Sequence, residues 1–229
     1  MKLSGPALVC AATRQELEPL FAAVSAAALE GDTLWRLPGG HAAVTGVGTP
    51  LTLLRLGARV RALAPGFVVN VGIAGAYPGA GLEVGDVVFG TSEVFADLGM
   101  EVPGEERFRP LSAFPFADAL HRQPLPLCVP QGIGERAGPP AVRLAAGATV
   151  NTCAGTQETG SLRRARWDAG FESMEGAACA LVGVEHALPV VEIRAVSNVA
   201  GWRDMRPENV ERAMRALGLF WREHRELFQ

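Results

Sequence analysis

Short apolar runs alternate along the chain with stretches whose apolar positions fall three and four residues apart. Residues 7–12 form an unbroken apolar run, which predicts a strand covered on both faces. Thr13 then reads as a helix cap, with Glu16 at capping-box spacing and Leu17, Leu20, Phe21 and Val24 on the apolar side. Residues 33–37 and 41–45 predict a hairpin about Pro38-Gly39-Gly40. The Gly-rich turn at 46–50 opens a helix through Leu63, and Pro65-Gly66 stops it. Residues 67–71 and 85–90 predict two further strands, the first running into Gly72-Ile73-Ala74-Gly75-Ala76.

Residues 101–138 are rich in Pro, Arg and Glu and read as surface loops with one helix at 116–121. Order returns with a strand at 142–152 and a short helix at 161–167. Glu175 stands among small residues where the next helix begins, and the apolar strand after it carries Arg194 and ends on Ser197-Asn198. Residues 207–228 close the chain as an amphipathic helix, with Val210, Met214, Leu217 and Trp221 on one side. Strands alternating with helices predict one α/β domain over residues 1–229, three layers deep (α/β/α) about a central mixed sheet. In such sheets ligands sit beyond the carboxyl ends of the strands. That places Glu175, Arg194 and Asn198 near one small volume.

Composition narrows the function classes. The 229 residues are 48% apolar and 20% charged, which suits one globular core. A net charge of -3 gives no electrostatic footprint for nucleic acid or an acidic membrane surface. The N-terminal apolar run is too short for a signal peptide or a membrane span. Cys10, Cys128, Cys153 and Cys179 are scattered beside apolar runs, as reduced, buried thiols of a cytoplasmic protein would be. His41, His121, His186 and His224 are far apart, so neither a metal nor another cofactor is expected.

Six ordered blocks carry a resemblance. They are Val9-Cys10-Ala11-Ala12 with Glu16, Thr45-Gly46-Val47-Gly48, Asn70-Val71-Gly72-Ile73-Ala74-Gly75, Val84-Gly85-Asp86-Val87-Val88, Ser173-Met174-Glu175-Gly176-Ala177-Ala178, and Arg194-Ala195-Val196-Ser197-Asn198. Together they resemble the purine nucleoside phosphorylase/nucleosidase superfamily. Within it the pattern is similar to methylthioadenosine/S-adenosylhomocysteine nucleosidases and, more so, to the futalosine hydrolases of the alternative menaquinone pathway. The latter carry Asn at the position of Asn198, followed by a run like Gly201-Trp202-Arg203-Asp204. The resemblance implies a nucleoside phosphorylase-like fold, a purine nucleoside as ligand and a homo-oligomer.

It also assigns roles. Glu175 matches the glutamate that accepts hydrogen bonds from the ribose hydroxyls, Met174 packs on the sugar, and Glu16 matches the glutamate that activates water. A buried arginine needs a carboxylate partner, so Arg194 either orients that water or holds Glu16. Phosphorylases carry Arg-x-Gly-Ser where this chain has Asn70-Val71-Gly72-Ile73. An oxyanion would lose a charge-assisted hydrogen bond there, about 2 to 3 kcal/mol, and would meet the Ile73 side chain. Hydrolysis is therefore expected rather than phosphorolysis. Asn198 offers both a donor and an acceptor, the pattern that suits a 6-oxopurine such as hypoxanthine. The alternatives are an adenosine-type nucleosidase and an inosine-type phosphorylase. Ser197, Thr156 and Gln157 complete the expected substrate contacts; Phe95, Trp202 and residues 101–138 are expected around the ribose 5′ substituent, and Arg203 is expected to pair with the carboxylate that ends futalosine's 5′ arm.

Overall fold

Val9 pairs with Ala42 on one side and with Val69 on the other, both in parallel. Its strand is thus interior to the sheet and covered above and below, which is why residues 7–11 carry no polar alternation. The computed structural model describes residues 3–104, 107–115, 123–202 and 204–224. The first half comprises β1 (Ala7–Ala11), α1 (Arg14–Phe21), β2 (Ala27–Glu30), β3 (Leu34–Leu37), β4 (Gly40–Val44), α2 (Thr49–Leu63), β5 (Phe67–Ala76) and β6 (Val87–Phe95). It continues with β7 (Gly99–Glu101), β8 (Phe108–Pro110), β9 (Leu125–Pro126), β10 (Val142–Thr149) and α3 (Gln157–Trp167). β11 (Phe171–Ser173), α4 (Gly176–Glu185), β12 (Val190–Val199) and α5 (Pro207–Glu223) follow.

The main sheet runs β11-β10-β6-β12-β5-β1-β4-β3-β2. β12 is parallel to β5 and antiparallel to β6, so the sheet is mixed. β11 also pairs with β5, closing β5, β12, β6, β10 and β11 into a ring. On one face α1 and α5 bring Leu17, Leu20, Leu217 and Phe220 against Val71, Phe89 and Ile193. On the other, α2 and α4 bring Leu56, Val60, Cys179 and Val182 against Leu8, Val68 and Val190. The result is the expected α/β/α arrangement of three layers in one domain.

Two irregularities shape the edge where the strands end. Val196 pairs with Ala74 but Asn198 pairs with Gly75, so Ser197 is an extra residue bulged out of β12. A bulge re-aims consecutive side chains that would otherwise alternate. Farther back, Ala145 pairs with Gly90 and Gly147 with Glu93, which leaves Thr91 and Ser92 of β6 opposite Ala146 alone.

Several expected boundaries shift. α1 stops at Phe21, so Val24 lies beyond it, although it still packs on the core. Pro19 inside this helix removes a backbone donor and shortens it. α3 begins at Gln157, not at 161, because Thr156 caps it. β2 was not expected; it is a fully exposed edge strand without apolar alternation. The segment 101–138 contains β8, which pairs with β7 just before it, and β9, as well as loops. The helix expected at 116–121 and the end of the last helix at 225–228 lie outside the described residues. Among described residues no helix is long and apolar enough to cross a membrane.

Candidate active site

A cavity of about 300 Å³ opens beyond the carboxyl ends of β1, β5 and β12. Glu16 enters it from the first turn of α1, held by a reciprocal cap. Glu16 N donates to Thr13 Oγ1 at 3.4 Å, while Glu16 Oε2 accepts from Thr13 N at 3.0 Å and from Thr13 Oγ1 at 2.9 Å. Its other oxygen accepts from Ile73 N at 3.1 Å. The cap that spacing predicted and the cavity position are therefore one arrangement. Burial pushes the Glu16 carboxyl above its ordinary value; Arg194 opposes that shift and Glu175 adds to it.

Glu175 precedes α4 at the cap position, yet its side chain caps nothing. It turns instead to the loop before α2, where Oε1 accepts from Gly48 N at 3.0 Å. Gly48 has φ of 90°, a conformation that favours glycine and that aims this N–H at the carboxylate. Glu175 Oε2 lies 3.5 Å from Arg194 Nη1.

Arg194 is fully buried behind the cavity and does not line it. Its Nε donates to Glu192 Oε1 at 2.9 Å, and its Nη1 donates to Glu175. Burial works against its charge, but Glu192, Glu175 and Glu16 outweigh that cost and hold its pKa above the ordinary value. Its hydrogen bonds go to Glu192 and Glu175, so it supports Glu175 from beneath, while its charge also acts on Glu16.

The bulge at Ser197 brings both Ser197 and Asn198 to the cavity wall. Asn198 Oδ1 accepts from Ser197 Oγ at 3.0 Å and Nδ2 donates to Val199 O at 3.2 Å. Those contacts fix which end is which and leave one acceptor site and one N–H available. Met174 and Ile73 also line the cavity.

Other expected contacts fall elsewhere. Thr156 is exposed and outside the cavity lining; its Oγ1 accepts from Thr159 N at 3.1 Å, so its hydroxyl is taken up by the α3 cap. Gln157 is the exposed first residue of that helix. Asn70 is buried and donates to Glu192 Oε1 at 3.3 Å, so only Ile73 of that block's distinctive pair faces the cavity. Phe95 packs among Leu125, Ala177 and Ala180, and Trp202 is 66% exposed; neither lines the cavity. Arg203 lies outside the described residues.

The apolar wall comes from Val47, Cys153, Met205, Val210 and Met214. The apolar periodicity of α5 marked Val210 and Met214 as inward-facing, though toward the core; nothing local marked Met205 or Cys153. Cys153 and Cys128 are only partly buried, while Cys10 and Cys179 are buried with sulfurs 3.8 Å apart.

Residues 41–219 match the Phosphorylase superfamily, and the chain belongs to it. Among curated proteins it is similar to futalosine hydrolase of Thermus thermophilus, 37% identical over 152 residues, covering 64% of this chain and 63% of that protein. It is also similar to futalosine hydrolase of Streptomyces coelicolor, 34% identical over 154 residues, covering 66% and 61% respectively. The matched region thus spans less than two thirds of either relative. Among solved structures, a mutant methylthioadenosine nucleosidase of Helicobacter pylori with 5′-methylthioadenosine in its active site superposes with a TM-score of 0.73 at 17% identity, covering 98% and 99% of the two chains. Native futalosine hydrolase of Helicobacter pylori gives 0.71 at 14% identity, covering 97% and 98%. These likenesses establish a shared fold.

Proposed function

We propose that the protein is an N-glycosyl hydrolase that cleaves a 6-oxopurine nucleoside, with futalosine as substrate and hypoxanthine as the released base. The observation that carries this reading is that Glu16, Glu175 and Asn198 line one cavity. In the reaction the bond from the ribose anomeric carbon to the purine breaks and its electron pair leaves with the base. Glu16 takes a proton from water, whose oxygen bonds to the anomeric carbon. Glu175 accepts hydrogen bonds from the ribose hydroxyls and stabilises the positive charge that develops on the sugar. Asn198 donates to the 6-oxo oxygen and accepts from N7–H as the purine takes up a proton from solvent.

The curated relatives at 34–37% identity support futalosine over other nucleosides. Met205 and Met214 support it as well, since a thioether wall suits an aryl-bearing 5′ arm. The same apolar wall would also accept the 5′-thioether of methylthioadenosine, which makes a methylthioadenosine/S-adenosylhomocysteine nucleosidase the second reading. In this account residues 1–229 act as one domain, free of membrane and nucleic acid, in the cytoplasm as a step of menaquinone biosynthesis. A homo-oligomer is supported by the exposed apolar side chains of Leu51 and Leu54 on the first turns of α2 and of Val47 just before it, at the cavity rim. The deciding experiment is chromatography after incubation with futalosine, inosine, methylthioadenosine and S-adenosylhomocysteine, comparing kcat/KM. Futalosine ranks first if the reading holds; methylthioadenosine in first place would overturn it.

A further inference from the structure

Two glutamates with no part in that chemistry lie behind the cavity on neighbouring strands. Glu93 of β6 and Glu192 of β12 are both fully buried. The bulge at Thr91-Ser92 immediately precedes Glu93. Glu93 Oε2 accepts from Thr149 Oγ1 at 2.9 Å, and Glu192 Oε1 accepts from both Arg194 Nε and Asn70 Nδ2. The remaining oxygens, Glu93 Oε1 and Glu192 Oε2, receive no donor from another described group, and the two carboxyls meet each other. Glycines keep the space open. A Cβ at Gly176 would collide with both carboxyls, one at Gly147 would collide with Glu93, and one at Gly90 would lie 2.9 Å from Glu192 Oε2.

Two ionised carboxylates touching in a dry interior repel each other, while a single proton between them turns that contact into a hydrogen bond. We propose that Glu93 is a carboxylic acid donating to Glu192, and that this acid–carboxylate pair is a positioning device for Arg194. With Glu93 neutral, Glu192 directs its charge to Arg194 Nε, which leaves Nη1 to meet Glu175. Glu93 in ionised form would compete for the same guanidinium and draw it from the ribose-binding carboxylate. Burial and then Glu192 push the Glu93 carboxyl well above its ordinary value. Other titratable or charged groups near the pair, among the described residues, include Arg194 of β12, Glu175 before α4, Glu172 of β11, Tyr77 beyond β5, Cys10 of β1 and Cys179 of α4. Tyr77 is pushed up chiefly by burial, and Cys179 by its contact with Cys10 and then burial, so both stay neutral.

The role in turnover rests on the hydrolase reading; the protonated state of Glu93 does not. Infrared spectra of the wild type and of Glu93→Gln at neutral pH test the proton directly. The difference spectrum is expected to show a carboxylic-acid band in the wild type that vanishes in the variant. That band disappears as pH rises, and does so at lower pH in Glu192→Gln. Kinetics test the positioning role: Glu93→Ala lowers kcat about tenfold with KM changed less than twofold, and Glu93→Gln restores most of the loss. Absence of the acid band in the wild type, or equal losses in the Ala and Gln variants, overturns the proposal. Should Glu93→Ala not fold, the wild-type and Glu93→Gln spectra decide it. A wild type that shows the band but cleaves no nucleoside would sink the hydrolase reading, and with it the role in turnover, while upholding the shared proton.

Discussion

Glu16 and Arg194 converge on the side of Gly72 where a side chain would stand. A Cβ built there would lie 2.5 Å from Glu16 Oε1 and 2.5 Å from Arg194 Nη1. The missing side chain thus leaves room for both the proposed water-activating carboxylate and the guanidinium that supports Glu175. Replacing Gly72 with Ala forces both groups to move. A displacement near 1 Å costs about 10²-fold in rate, so Gly72→Ala is expected to lower kcat by about that factor. Steady-state kinetics alongside thermal unfolding check it, since the loss should exceed any change in the folded fraction.

Thr13 ties the helix cap to the proposed base. It receives Glu16 N and donates to Glu16 Oε2. Thr13→Val removes both contacts, at a cost of about 1 kcal/mol in stability. Because Glu16 then loses one of its anchors, kcat should fall while KM holds. Unchanged kcat in a destabilised variant would reduce Thr13 to a cap alone.

Asn198 sets the choice of base in the proposed reaction. Asn198→Asp exchanges the donor for a second acceptor, leaving a 6-oxo group unpaired and a 6-amino group satisfied. Discrimination of this kind reaches about 10²-fold or more. The variant is expected to lose kcat/KM for futalosine and gain it for methylthioadenosine, measured by release of hypoxanthine against adenine.

Two carboxyls make pH informative. In the proposed reaction Glu16 acts as a base only when ionised, and burial lifts it above the ordinary 4.5, so the acid limb of kcat/KM should lie above that value. Stability runs the opposite way. Glu93 and Glu16 hold protons in the folded state that the unfolded chain releases. Their contribution is full below 4.5 and is lost as pH rises through their raised folded values. Glu93→Gln should therefore gain on the wild type in Tm as pH increases, a trend that differential scanning calorimetry reads directly.

Much of this architecture was legible in the chain because burial writes itself into apolar runs. The continuous stretch at 7–11 and the alternation of runs with helical spacing announced a covered sheet, and Thr13 with Glu16 announced a cap. Glu16, Glu175 and Asn198 reached one cavity because all three sit where strands or helices begin or end. Thr156 misled because a hydroxyl before a helix is as well used by a cap as by a ligand. The support beneath the cavity stayed hidden. Glu192 and Arg194 lie two apart on one strand, but their partners Glu93, Thr149 and Asn70 come from three other strands, and only the closed ring brings them together. β2 carries no apolar alternation at all.

Release of hypoxanthine from futalosine in phosphate-free buffer tests the central claim most directly. The account predicts full turnover that added phosphate does not raise, falling at least about 10²-fold in Glu16→Gln. Cleavage that requires phosphate and yields a sugar phosphate would contradict it.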